Sequence, residues 1–262
     1  MHSIKYQADQ LLRRMSRTYQ VRRKYESELS YWRTELVHLE EWFVRGTRDW
    51  WGLRPPREDQ KCRISELWVM NAIATRNVLR PSYLEKLKLE ADCFTGKRVL
   101  EVGSGPTAPI LQFTNCERHC VDPLVNVYME AGWPLFAYDA KFINTGGESL
   151  PYPDEYFDAV ISVNALDHVE DFERVAAEMQ RVLKRGGGTY FETEYHTPTV
   201  TEPIRLNDAR VIGAFSKCDL KMVLDRTGRE VFEALMKRFD LQPFDYYHFD
   251  AERFCTWHGI RR

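Results

Sequence analysis

Along the first ninety residues the apolar positions recur at helical spacing. Tyr25, Leu29, Trp32, Leu36, Leu39 and Phe43 step alternately by four and by three, which places them in one stripe down a helix. The stripe is shorter than the three or four heptads of a coiled coil. It is read as packing against the rest of the molecule, with a homodimer contact as the second reading. The run Trp50-Trp-Gly-Leu-Arg-Pro-Pro56 breaks the pattern as a loop. Further helices are predicted at about 64–78 and 83–90, giving a helical extension, or cap, over residues 1–92.

From Arg98 the texture changes to short apolar, β-rich runs alternating with helical spacing. Strands are predicted at 98–102, 117–121, 140–144, 156–163 and 189–195, with helices at 107–113 and 124–131. Phe172, Val175, Ala176, Met179, Val182 and Leu183 lie on one helical face, which Gly186-Gly187-Gly188 is expected to stop. A helix at 230–239 and two antiparallel-type strands, at 242–249 and 253–259, are expected to close the chain. Alternating strands and helices imply an α/β domain over 93–262, a mainly parallel sheet covered on both faces. Residues 197–227 are long for a connection and are read as a substrate lid.

Composition narrows the class. The 262 residues are 44% hydrophobic and 29% charged, with net charge -2, as in soluble globular chains. No apolar run approaches the roughly 20 residues of a membrane helix, and the first residues lack the apolar segment of a secretory signal. A cytoplasmic protein with reduced thiols is therefore expected. Between Lys5 and Lys24 seven bases face Asp9 alone; a solvated helix face and a contact with a phosphate-bearing partner or anionic membrane surface are the two readings. Cys116-Glu-Arg-His119-Cys120 lacks standard zinc spacing and a second Cys/His pair, so no metal is assigned.

The chemistry-bearing motif is Arg98-Val-Leu-Glu-Val-Gly103-Ser-Gly105-Pro-Thr107. Glycines let backbone approach a ligand where a Cβ would clash, and a following helix start offers free N–H groups. A dinucleotide site would want a third glycine at position 108, where Ala stands and is sometimes accepted. Glu101, two residues before Gly103, favours a ligand with a positively charged end over a pyrophosphate. Asp122, 19 residues after Gly103, suits two ribose hydroxyls.

Glu101-Val-Gly-Ser-Gly105, Asp122, Gly147-Glu-Ser-Leu-Pro-Tyr-Pro-Asp154, Phe157-Asp158 and Val182-Leu-Lys-Arg-Gly-Gly-Gly188 together resemble the class I S-adenosylmethionine (SAM) dependent methyltransferases, closest to their type 11 small-molecule branch. The resemblance covers about residues 96–195. It implies a Rossmann-like sheet of seven strands with the last antiparallel, and SAM as cofactor. It assigns Glu101, Gly103 and Gly105 to the methionine side and Asp122 to the ribose, with Ser104, Thr107 and Pro123 also among the cofactor-binding residues. Gly147, Glu148, Ser149 and Leu150 would flank the adenine through backbone amides, and Asn164 would lie beside the methionine. The sequence departs from the family at Thr107, where a third glycine is usual, and at Gly146, where an acid often stands.

Methyl transfer from a sulfonium needs alignment above all, and a base only where the acceptor must lose a proton. His168 is the first choice for that base or for a residue near the sulfonium, the other reading being a helix-start histidine packed on the cofactor. Asp167 is read as a helix cap. In extended chain Glu192, Glu194 and His196 share one face, where they would orient a hydroxyl or amine acceptor or hold a divalent cation. Arg205, Asn207, Arg210 and Lys217 in the lid suit an anionic or polyhydroxyl acceptor, and Tyr31, Trp50 and Trp51 are candidates for an aromatic wall. The expected function is methyl transfer to an oxygen or nitrogen of a small-molecule or glycan acceptor. The alternatives are an RNA methyltransferase using the basic N-terminal segment, and a non-catalytic SAM-binding partner subunit. The absence of Asn/Asp-Pro-Pro-Tyr/Phe after the fourth strand argues against amino methylation of a flipped base.

Overall fold

The computed structural model describes residues 21–33, 83–133, 135–231, 233 and 251–262. The expected loop at 50–56, the helix at 64–78 and the strand at 242–249 lie outside them, as do most of the basic segment and of the helix at 230–239.

The described elements begin with helix α1 over 21–33 and α2, Tyr83–Leu87. Strand β1 is Arg98–Val102, β2 is Glu117–Asp122, and β3 is Lys141–Asn144, with α3, Val125–Glu130, between the last two. Then follow β4 (Phe157–Val163), α4 (Phe172–Val182), β5 (Leu183–His196), α5 (Asp208–Ala214), β6 (Cys218–Thr227) and β7 (Ala251–Arg261). The strands form one seven-stranded sheet in the order β3-β2-β1-β4-β5-β7-β6. Pairing is parallel from β3 through β5, and β7 runs antiparallel to both β5 and β6.

Buried parallel strands place alternate residues in two cores. Val99, Ala159, Ile161 and Val163 face one core with Leu87, Phe94 and Phe113. Leu100, Val102 and Val160 face the other with Phe172, Val175, Phe191 and Phe215. Helix α4 contributes Phe172, Val175, Ala176, Met179 and Val182 to that second core, and Asp171 caps it by accepting from the Arg174 amide.

Four expectations are corrected. The helix at 107–113 is a single 3₁₀ turn, Pro109–Gln112, and Ala108 before it has φ 40°; a residue preceding proline is pushed out of the α region. Helix α4 ends at Val182, because Leu183 pairs with Phe157. Gly186, Gly187 and Gly188 lie within β5, where the register jumps between Phe157/Leu183 and Ala159/Gly188. The interval 197–227 holds α5 and the edge strand β6. Finally, α2 packs on the sheet with Leu87 fully buried, and its Lys86 and Leu87 carbonyls accept from Thr256 Oγ1 and the His258 ring. The packed α/β body therefore includes residues before 93.

Among the described residues no helix is long and apolar enough to cross a membrane, and the five described cysteines are free.

Candidate active site

The glycine loop leaves the C-terminal end of β1, where parallel α/β sheets place their ligands. Gly103 has φ +75°, and a Cβ there would stand 2.3 Å from that of Ala165, so only glycine fits. The Gly103 amide donates to Val121 O at 2.9 Å. The Gly105 amide donates to Asp122 Oδ2 at 3.0 Å, and the Leu124 amide to Oδ1 at 2.9 Å. Burial pushes Asp122 up to about 6, with these two amides pulling the other way. Below the loop Glu101 is fully buried. Its Oε2 accepts from the Ile110 amide at 3.4 Å, and Oε1 has no partner. Burial pushes Glu101 up to about 8, against a stabilising hydrogen bond from Tyr83.

Helix α1 covers this loop. The Trp32 ring is 3.2 Å from where a Cβ on Gly105 would be, and it meets Tyr128 and Trp133 edge-on. Lys24 donates from Nζ to His168 O. Between α1 and the start of α3 lies a cavity of about 680 Å³, lined by Tyr25, Leu29, Pro123, Leu124, Val127 and Glu170 among others. That volume is in the range of small-molecule and cofactor sites. It opens immediately after Asp122. A buried carboxylate oxygen without a partner, Glu101 Oε1, and a buried acid beside a cavity fit a ligand with an ammonium at one end and a nucleoside at the other. Tyr31 is 40% exposed, and Trp32 is the aromatic side chain that α1 lays on the loop; Trp50 and Trp51 lie outside the described residues.

The remaining residues assigned to the cofactor frame the loop. The Ser104 hydroxyl donates to Gly105 O, and Thr107 is buried. Gly147 is wedged between Val102 and Val175, where a Cβ would come within 3.0 Å of both. Leu150 has its amide committed to Glu178 at 2.9 Å, so that amide is not offered to an adenine. Glu148 Oε1 accepts from the Glu170 amide at 2.9 Å and holds the approach to α4. The Ser149 amide reaches Gly146 O at 3.5 Å. Asn164 ends β4 in the left-handed region, φ 52°, which asparagine tolerates.

The ends of β4 and β5 gather a second set of charges. Glu192 is 1% exposed and closed between Lys86 at 2.6 Å and Arg226 at 3.0 Å, so it is unavailable to an acceptor. His196 Nε2 lies 3.1 Å from Asp167 Oδ2, and its Nδ1 lies 2.9 Å from Thr197 O. With acceptors at both nitrogens the ring donates twice, and the Asp167 hydrogen bond raises it to about 9. Asp167 thus orients His196 and leaves the capping of α4 to Asp171. His168 Nδ1 lies 2.8 Å from Glu28 Oε1. Burial pulls His168 down, but Glu28, Asp167 and Glu202 outweigh it and raise the ring to about 9. It carries its proton at neutral pH, which suits orientation better than proton abstraction. Burial first, then the Asp167 charge, push Glu194 up to about 8. In the expected lid, Asn207 caps α5 by accepting from the Arg210 amide, and the Arg210 guanidinium grips Glu173 at 2.6 Å; both are structural.

Glu28, Lys24 and Glu202 joined the site without a sequence signal for it. Lys24 and Glu28 are four apart on α1, which puts them on a common face, but nothing local says that this face meets His168.

Residues 100–191 match the family described as "Methyltransferase domain". Over this stretch the chain is similar to SAM-dependent methyltransferases. This domain aligns with a sterol 24-C-methyltransferase of Gibberella zeae, 34% identical over 101 residues, covering 35% of this chain and 26% of the relative. It aligns also with an uncharacterized methyltransferase of Bacillus subtilis, 29% identical over 102 residues, 37% of this chain and 40% of the relative. The chain thus spans well under half the length of these relatives. In fold the domain matches a Haemonchus contortus phosphoethanolamine N-methyltransferase 2, with TM-score 0.55, 14% identity, and coverage of 74% of this chain and 58% of the other. The matched stretch holds the glycine loop, Asp122 and strands β2 to β4.

Proposed function

We propose that this chain is a SAM-dependent methyltransferase acting on an oxygen or nitrogen of a small-molecule or glycan acceptor. The observation that carries the acceptor chemistry is Glu194. Its carboxyl is largely buried at the C-terminal end of β5, raised to about 8, and no hydrogen bond to it is made among the described residues. At about 8 the group is mostly protonated at pH 7, and its ionised fraction, which grows toward pH 8, takes a proton from a hydroxyl or ammonium better than an ordinary carboxylate does. SAM, when bound, supplies a methyl group activated by its sulfonium. Asp122 would hold the ribose hydroxyls and Glu101 Oε1 the ammonium, with α1 covering the loop. Glu194 would accept the acceptor's proton, and His168 would help orient the acceptor.

The test incubates the purified chain with methyl-labelled SAM and cell extract fractionated into small molecules, glycans and RNA. Label on oxygen or nitrogen in the small-molecule or glycan fraction is expected, with Glu194→Gln lowering kcat at least tenfold and leaving the SAM Kd unchanged. Label on carbon, as the name of the Gibberella zeae relative describes for that enzyme, overturns the acceptor assignment. Label in RNA moves the function to the basic N-terminal segment. Failure of SAM to bind in calorimetry overturns the whole reading.

A further inference from the structure

Among the described residues one group of three side chains, Asp167, His168 and Glu202, brings a ligand atom from each within 4.8 Å of the others. Two are consecutive after β4 and the third lies in the segment before α5, so folding alone assembles them. Asp167 is fully buried, and its Oδ1 has no hydrogen-bond partner; the His168 Nε2 is likewise buried and without one. Two buried polar atoms left unsatisfied at one spot are costly unless something fills it.

The opposite atom of each side chain is already held. Glu28 Oε1 sits 2.8 Å from His168 Nδ1, leaving Nε2 to point away from α1. His196 Nε2 sits 3.1 Å from Asp167 Oδ2, leaving Oδ1. Thr199 Oγ1 donates to Glu202 Oε2 at 3.0 Å, leaving Oε1, which is 3.8 Å from His168 Nε2. A carboxylate behind a ligating histidine, and hydrogen bonds behind ligating carboxylates, are the supports that orient metal ligands.

We infer that Asp167 Oδ1, His168 Nε2 and Glu202 Oε1 form a binding site for a divalent transition ion of the Mn²⁺ or Zn²⁺ class. One imidazole nitrogen and two carboxylate oxygens are a borderline-hard donor set that suits these ions. Three protein ligands leave coordination positions open, as in catalytic metal sites. A hydroxyl held at such a position loses its proton more readily. That role beside the acceptor rests on the methyltransferase reading; binding of the ion does not.

Nearby charge sets the balance. Glu28 adds negative charge around the three ligands, while Lys24 on the His168 carbonyl and the His196 ring oppose it.

The test strips the full chain with a chelator and titrates Mn²⁺, following free ion by electron paramagnetic resonance, with Zn²⁺ stoichiometry measured by mass spectrometry. One equivalent per chain is expected, with binding weakened at least tenfold in Asp167→Asn and in Glu202→Gln. Glu202 is partly exposed, so Glu202→Gln keeps the fold where Asp167→Asn loses it, and retained SAM affinity in calorimetry checks this. Substoichiometric uptake, or unchanged affinity in Glu202→Gln, overturns the site. SAM binding without metal binding sinks the site alone; loss of SAM binding in the parent protein sinks the enzymatic reading.

Discussion

The amide of Gly105 donates to Asp122 Oδ2 at 3.0 Å, so the acid at the end of β2 is also the brace that holds the glycine loop of β1. One side chain thereby fixes the loop's shape, immediately before Pro123 and Leu124, which line the cavity under α1.

Asp122→Ala is expected to weaken SAM binding at least tenfold, about 1.4 kcal/mol, because it removes both the brace and the ribose acceptor. Asp122→Asn keeps one oxygen for an amide and loses less. Calorimetric titration of both decides it, and an unchanged Kd in the alanine variant removes the ribose assignment.

Gly103→Ala is expected to cost about 3 kcal/mol or more of stability, from a strained positive φ together with overpacking. The added Cβ would meet Ala165 Cβ at 2.3 Å, far inside contact distance. Urea denaturation of the variant beside the parent measures it, and a loss below about 1 kcal/mol contradicts the geometry.

Glu101 ties stability to pH. Its carboxyl titrates near 8 when folded and near its ordinary 4.5 when unfolded. A raised folded value favours the fold at low pH, and this contribution is lost as pH climbs from about 4.5 through 8. Glu101→Gln has nothing to lose over that window. The melting temperature of the variant minus that of the parent should therefore rise between pH 5 and pH 8, and a flat difference shows that Glu101 is solvated or paired.

His168→Ala is expected to lower kcat more than it weakens SAM binding, because His168 reaches Glu28 and Glu202 rather than the glycine loop. Steady-state kinetics with calorimetry separates the two, and equal losses place the ring on the cofactor wall.

Much of the fold is legible along the chain. Val99 and Leu100, or Ala159 and Val160, are buried in opposite cores, and an apolar β-rich run encodes that in its neighbours alone. Helix α4 declares itself by the spacing of Phe172, Val175, Ala176 and Met179. Where expectation failed, a non-local term won. Leu183 leaves the helix because β4 offers it a partner, and Ala108 leaves it because Pro109 follows. Strand β6 was hidden because an edge strand exposes half its residues, so Asp219, Lys221 and Asp225 read as loop.

The site divides in the same way. Gly103, Gly105, Glu101 and Asp122 sit at the ends of adjacent parallel strands, so sequence order alone brings them together and local pattern suffices to find them. The pairing of Glu28 with His168, of Asp167 with His196, and the approach of Glu202 join residues up to 140 positions apart. No local periodicity encodes such contacts. They arise only when α1 and the segment before α5 pack over the ends of β4 and β5, and that packing places Glu28 against the half-buried His168 ring and leaves Asp167 Oδ1 without a partner.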